Sequence, residues 1–147
     1  MKLSEVHGLA KQKEHLLKSI IANRLPHAQL FLGPAGSGKL SLAHATIQYL
    51  YCAERSDTDS CGVCSSCRKI SSYTHPDVHY SFPTVTKTVG KKPKSDDFIE
   101  EWRAINKSDH YFSTADWIGT IAANETKAPN ITSEETHIIM SVSYTQI

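Results

Sequence analysis

Apolar positions in the first fifty residues recur at two different periods, and the change of period marks out elements. Leu9, Leu16, Leu17, Ile20 and Ile21 fall at helical spacing, which predicts an amphipathic helix over Leu9 to Asn23. Pro26 ends it, because the residue before a proline is pushed out of the helical region. His27 to Gly33 (HAQLFLG) is then a short apolar run feeding a glycine-rich turn, the pattern of a buried parallel strand. From Gly38 to about Cys52 the helical period returns, with Leu42, Ile47 and Leu50 as inward candidates.

Beyond that helix a cysteine-bearing segment reads as a loop-rich insertion, and His75 to Pro83 (HPDVHYSFP) as a second strand bounded by prolines. Thr84 to Lys94 is a polar, basic loop. Its lysines, Lys87, Lys91, Lys92 and Lys94, could touch phosphates, but no aromatic residues interleave with them and a solvated loop is the preferred reading. Ser95 is placed to cap a helix whose first turn holds Asp96 and Asp97, with Phe98, Ile99, Trp102 and Ile105 as packing residues. Thr132 and Glu135 have capping-box spacing for a last helix through Ile138, Ile139 and Val142. There is no internal repeat.

Strand, glycine loop, helix and strand again open an α/β unit with a parallel sheet. The expected fold class is therefore α/β, a three-layer domain whose glycine-rich turn from Gly33 to Lys39, G-x-x-x-x-G-K, marks the P-loop NTPase type, with a small inserted module at about 52–70. The chain ends at SYTQI without the further apolar strand and acidic residues that nucleotide hydrolysis requires. The expectation is a domain incomplete at its C-terminal end.

Composition narrows the setting. At 147 residues the chain has the length of one domain, and 39% hydrophobic with 21% charged residues suits a folded globular protein. A net charge of +1 makes no global electrostatic case for nucleic acid. No apolar run approaches the roughly 20 residues that span a bilayer. The N-terminus, MKLSEVHGLAKQKEH, lacks the apolar core of a secretory signal, so a cytoplasmic location is expected.

That location bears on Cys52, Cys61, Cys64 and Cys67, since cytosolic thiols stay reduced. Their C-x8-C-x2-C-x2-C spacing suits four thiolates around a structural zinc, a closed site with no open position for catalysis. An iron–sulfur or redox role and free thiols are the alternatives; iron–sulfur runs of this type usually place the fourth cysteine downstream, whereas Cys52 lies upstream. His75 and His79 are nearby but superfluous once four cysteines fill a zinc, and read as strand-edge residues.

Gly33, Pro34, Ala35, Gly36, Ser37, Gly38 and Lys39 form G-x-x-x-x-G-K between a predicted strand and a helix start, the context a phosphate-binding loop requires. Backbone N–H groups, the helix N-terminus and the Lys39 ammonium would all face phosphate. The alternative is a glycine-rich turn with an incidental lysine. Leu40 occupies the place of the Ser or Thr whose hydroxyl holds Mg²⁺ between the β and γ phosphates. Ser41 is turned by about 100° around the helix axis and cannot substitute for it. ATP/ADP or phosphate bound without competent hydrolysis, a vestigial empty site, and an active ATPase all stay open, with Mg²⁺ poorly held.

The order of these signals is more specific than either alone. VHGLAKQKEHL, then RLPHAQLFLGPAGSGK, then four cysteines directly after the phosphate-loop helix, then HPDV, resembles the bacterial DNA polymerase III clamp-loader subunits of the AAA+ type. The resemblance covers Met1 to Val78 and fades beyond it. It implies a first AAA+ domain, given in part by residues 1–147, that works with other clamp-loader subunits, the sliding clamp and primer–template DNA. Val6 and Gly8 would lie near the adenine and Gly33 to Leu40 near the phosphates. Leu40 makes the chain resemble the non-hydrolysing delta-prime type, with an ATP-hydrolysing gamma/tau-type motor as one alternative and a zinc-containing nucleic-acid-binding module as another.

Overall fold

The structure is a computed structural model and describes residues 1–87, 92–122, 129–133 and 135–137. Its elements are a 3₁₀ turn at Leu3–Glu5, helices α1 (Ala10–Ile21), α2 (Lys39–Tyr51) and α3 (Ser65–Ser71), a 3₁₀ turn at Ser95–Phe98, and helices α4 (Ile99–Ser108) and α5 (Thr114–Ile121). Two compact units divide them, Met1–Val78 and His79–Ile147.

The first unit is organised by α2. Leu42, Ala45 and Tyr49 meet Leu16 and Ile20 of α1 and Leu3 and Val6 of the N-terminal segment in one apolar cluster. The α1 stripe is thus the expected one, except that Ile21 is 57% exposed. Ile47 and Leu50 of α2 are only half-buried, while the polar residues Ser41, His44, Thr46 and Gln48 are buried. They can be buried because they are bonded. Thr46 donates to the Leu42 carbonyl at 2.7 Å, and Gln48 reaches Met1, Ser60 and Ser71. His44 stacks on Tyr73 at 4.4 Å and contacts the Ile70 carbonyl, which docks α3 on α2.

No strand occurs among the described residues; the one bridge pairs Thr84 with Asn130. The strands expected at His27–Gly33 and His75–Pro83 are not formed there. A strand exists by its ladder of backbone bonds, and neither segment has such a partner among the described residues. In the first segment Phe31 packs on the core, while Leu30 and Leu32 are 80% and 82% exposed. Its second face is apolar but uncovered, so the parallel sheet of the expected fold class is absent from the described part.

The second unit is built on aromatic rings. Phe82 stacks on Trp102 at 4.3 Å and meets Trp117 edge-on at 4.9 Å, and Trp102 meets Phe112 and Trp117 edge-on. The Trp117 indole N–H donates to the Pro83 carbonyl at 2.8 Å. Two caps differ from the expectation. Ser95 is buried, and its hydroxyl takes the Phe82 N–H at 3.2 Å; Asp97 accepts from the Lys94 N–H instead. Thr132 donates to the Pro93 carbonyl and Glu135 accepts from the Ser95 N–H, so tertiary bonds displace the expected capping box. Ile138, Ile139 and Val142 lie outside the described residues, as does Lys91. Lys87 is committed, to the Asp97 carbonyl at 2.7 Å, to Glu101 at 3.0 Å and over the Phe98 ring. Helix α5 was not foreseen, although Ser113 and Asp116 cap it reciprocally with S-x-x-D spacing.

Candidate functional site

The four cysteines come together in the first unit. Arg55 lies over the Tyr49 ring, and the Tyr49 hydroxyl donates to the Ser56 carbonyl at 2.8 Å, which folds the loop after α2 back on itself. Gly62, at φ +77, makes the tight reversal between Cys61 and Cys64 that a side chain would strain. Cys64 then begins α3, and Cys67 lies on its first turn, fully buried. All four sulfurs lie within 4.8 Å of one another, and Cys61 and Cys67 are 3.9 Å apart. A tetrahedral ion with Zn–S bonds of about 2.3 Å needs sulfurs about 3.8 Å apart, so this set fits zinc with little contraction.

The surrounding backbone favours thiolates. N–H groups of Cys61, Cys64 and Cys67 donate to the sulfurs of Cys52, Cys61 and Cys64 at 3.2, 3.3 and 3.5 Å. Backbone hydrogen bonds from Cys67 and Ala53 pull the Cys64 thiol down to about 6. Burial, then the neighbouring sulfurs, pushes Cys67 up to about 12. A cation among the four would reverse that second direction, since its charge holds every ligand as thiolate. Such a site supplies a closed cross-link. His75 is not part of it: buried, it packs on Tyr51 at 4.7 Å, and its Nδ1 accepts the Asp77 N–H. His79 is exposed.

Residues Gly33 to Lys39 form a tight turn that leads into α2. Gly36 and Gly38 hold φ of +73 and +76, and Gly38 is the residue from which α2 begins. The Ser37 N–H donates to the Pro34 carbonyl at 3.3 Å and closes the turn. The Lys39 ammonium donates to that same carbonyl at 2.9 Å, so a phosphate would have to take the carbonyl's place. Leu40 is 37% exposed, and Ser41 is 3% exposed and turned to the interior. The loop forms one wall of a pocket of about 680 Å³ through Gly33, Pro34, Ser37 and Lys39. Lys11, Gln12 and His15 of α1 line the same pocket, as do Leu9 just before the helix and residues of the 26–32 segment. Ala35, Gly36, Gly38 and Leu40 are part of the loop without lining the pocket.

Sequence reasoning did not single out the α1 residues, because only the fold brings them to the same pocket as the loop. Val6 is buried in the core, and its carbonyl accepts the Lys13 ammonium. Gly8, at φ +63, is exposed just before Leu9.

Residues 8–140 match the family described as DNA polymerase III, delta subunit. The chain belongs to this family. Among curated relatives, DNA polymerase III subunit delta' of Bacillus subtilis (strain 168) is 32% identical over 111 residues, 74% of this chain and 33% of that protein. Subunit delta' of Escherichia coli (strain K12) is 33% identical over 88 residues, 60% of this chain and 25% of that protein. Subunit gamma/tau of Mycobacterium tuberculosis (strain ATCC 25618 / H37Rv) is 41% identical over a shorter stretch, 64 residues, or 44% of this chain and 11% of that protein. The chain spans a third or less of the length of these relatives. No solved structure matches it. Among the described residues, no helix of this family member is long and apolar enough to cross a membrane.

Proposed function

We propose that the chain is the first part of a clamp-loader subunit of the delta-prime type. It works with other clamp-loader subunits in the cytoplasm and, through them, with the sliding clamp and primed DNA. Family membership and the delta' relatives support this reading. Residues 1–147 then give the nucleotide domain in part, with Val6 and Gly8 on the base side, Gly33 to Leu40 at the phosphates, and zinc as a folding staple at 52–70.

The finer claim is that the loop cradles a nucleotide or phosphate and does not hydrolyse it. One observation carries it: Leu40 offers no hydroxyl where Mg²⁺ needs one, and Ser41, the next candidate, is buried. Cradling depends on glycines, backbone and Lys39, all of which are present; transfer depends on the metal. Phosphate release from ATP, measured with and without Mg²⁺ on wild type and Leu40→Thr, tests the claim. Wild type should release none above background, and Leu40→Thr should make nucleotide affinity newly sensitive to Mg²⁺. Steady Mg²⁺-dependent turnover by wild type, little changed by Leu40→Thr, would make the chain a gamma/tau-type motor instead.

A further inference from the structure

The pocket between α1 and the phosphate loop has an unusual charge pattern. Lys39 of the loop and Lys11 of α1 both line it, while no Asp or Glu does. The acidic residue nearest along α1, Glu14, pairs with Lys18 at 2.6 Å and is not on the pocket wall. Lys11 has no ion pair or hydrogen bond among the described residues, whereas Lys13 and Lys18 on the same helix are both engaged. Lys11 thus lines the same cavity as Lys39 without a partner of its own among the described residues, and the cavity is large enough for a nucleotide.

We infer that this pocket takes a polyphosphate anion free of divalent metal, with Lys11 as the second cation that grips it. This rests on the phosphate-cradle reading above and deepens it. Mg²⁺ ordinarily offsets two of the negative charges of a nucleoside triphosphate and is itself held by protein oxygens. Here position 40 is leucine and the pocket wall carries no carboxylate, so the metal gains nothing from the protein. Two lysines meet the charge instead, and they attract the bare anion more strongly than its Mg²⁺ complex.

Calorimetric titration of the zinc-loaded chain tests this, in buffer without chelator so that the cysteine site stays intact. ATP and inorganic tripolyphosphate are each titrated with no Mg²⁺ and with Mg²⁺ in excess. The expected result is binding at least as tight without Mg²⁺ as with it, a roughly tenfold loss for Lys11→Gln, and no change for Lys18→Gln. Binding of tripolyphosphate as well as ATP would show that the phosphates carry the recognition, and binding of ATP alone that the nucleoside contributes. The inference falls if ATP binds only with Mg²⁺, or if Lys11→Gln leaves the affinity unchanged; the phosphate cradle then survives without it. If neither probe binds wild type under either condition, both readings fall together.

Discussion

At Gln48 three distant parts of the chain meet on one buried side chain. Its amide oxygen accepts from the Met1 amine at 2.9 Å and the Ser71 hydroxyl at 2.8 Å, and its amide nitrogen donates to the Ser60 hydroxyl at 3.0 Å. Gln48→Leu keeps the volume and removes all three bonds; the Met1 amine and the Ser71 hydroxyl keep each other at 3.2 Å, while the Ser60 hydroxyl loses its partner. Ser60 is itself buried, so water cannot replace the lost bond there. We expect a loss of about 1–3 kcal/mol, read by denaturant unfolding of the zinc-loaded chain. The partners lie 47, 23 and 12 residues away, which is why an apolar period selects Leu42 and passes over Gln48. Leu40 is the opposite case. Its meaning is legible from sequence because the hydroxyl requirement is tied to one position after Lys39, whatever the rest of the fold does.

Elements follow the same division between local and distant causes. Helices α1, α2 and α4 were expected within a few residues of where they stand, because their period and breakers are local. The strands were not found among the described residues, because pairing is a property of neighbours. The cysteine loop is an intermediate case, its ligands legible from spacing and its attachment not. Asp59 makes that attachment: its carboxylate accepts from the N–H groups of Leu3 and Ser4 at 2.9 and 3.0 Å and from Ser60 at 2.8 Å. Burial alone would raise its pKa, but the hydrogen bonds from Ser4, Leu3 and Ser60 outweigh it and leave the carboxyl below its ordinary 3.8. The contribution is therefore complete above that value and is lost as pH falls through the lower folded pKa. Asp59→Asn should lower stability at neutral pH and lower it less as the wild-type carboxyl is protonated. Unfolding midpoints of both forms from pH 7 down to pH 2.5 should converge on the acid side; a constant gap would assign the loss to packing.

On the scale of the whole chain, the chemistry is unevenly shared. All four cysteines, the phosphate loop and the pocket belong to Met1–Val78, the same stretch in which the resemblance was legible from sequence. Both tryptophans belong to His79–Ile147, packed with Phe82 and Phe112 in a core that contains no cysteine. That core was hardly legible, since its rings come from an irregular segment and two short helices whose contacts no period announces. The separation makes metal removal informative. In the first unit a zinc bound by the four cysteines would hold Cys52 at the end of α2 to Cys67 in α3, and thiolate ligands left without a cation repel one another. Removing zinc should therefore melt α3 and the cysteine loop, seen as lost helical circular dichroism and protease cleavage within 52–72. Tryptophan emission should stay at its buried position, because Trp117 is 1% and Trp102 7% exposed in a core to which none of the four cysteines contributes. Restored zinc should bring the dichroism back. A red shift of the emission on chelation would show that the aromatic core depends on the metal-bound unit, and the two would then have to be treated as one folding unit.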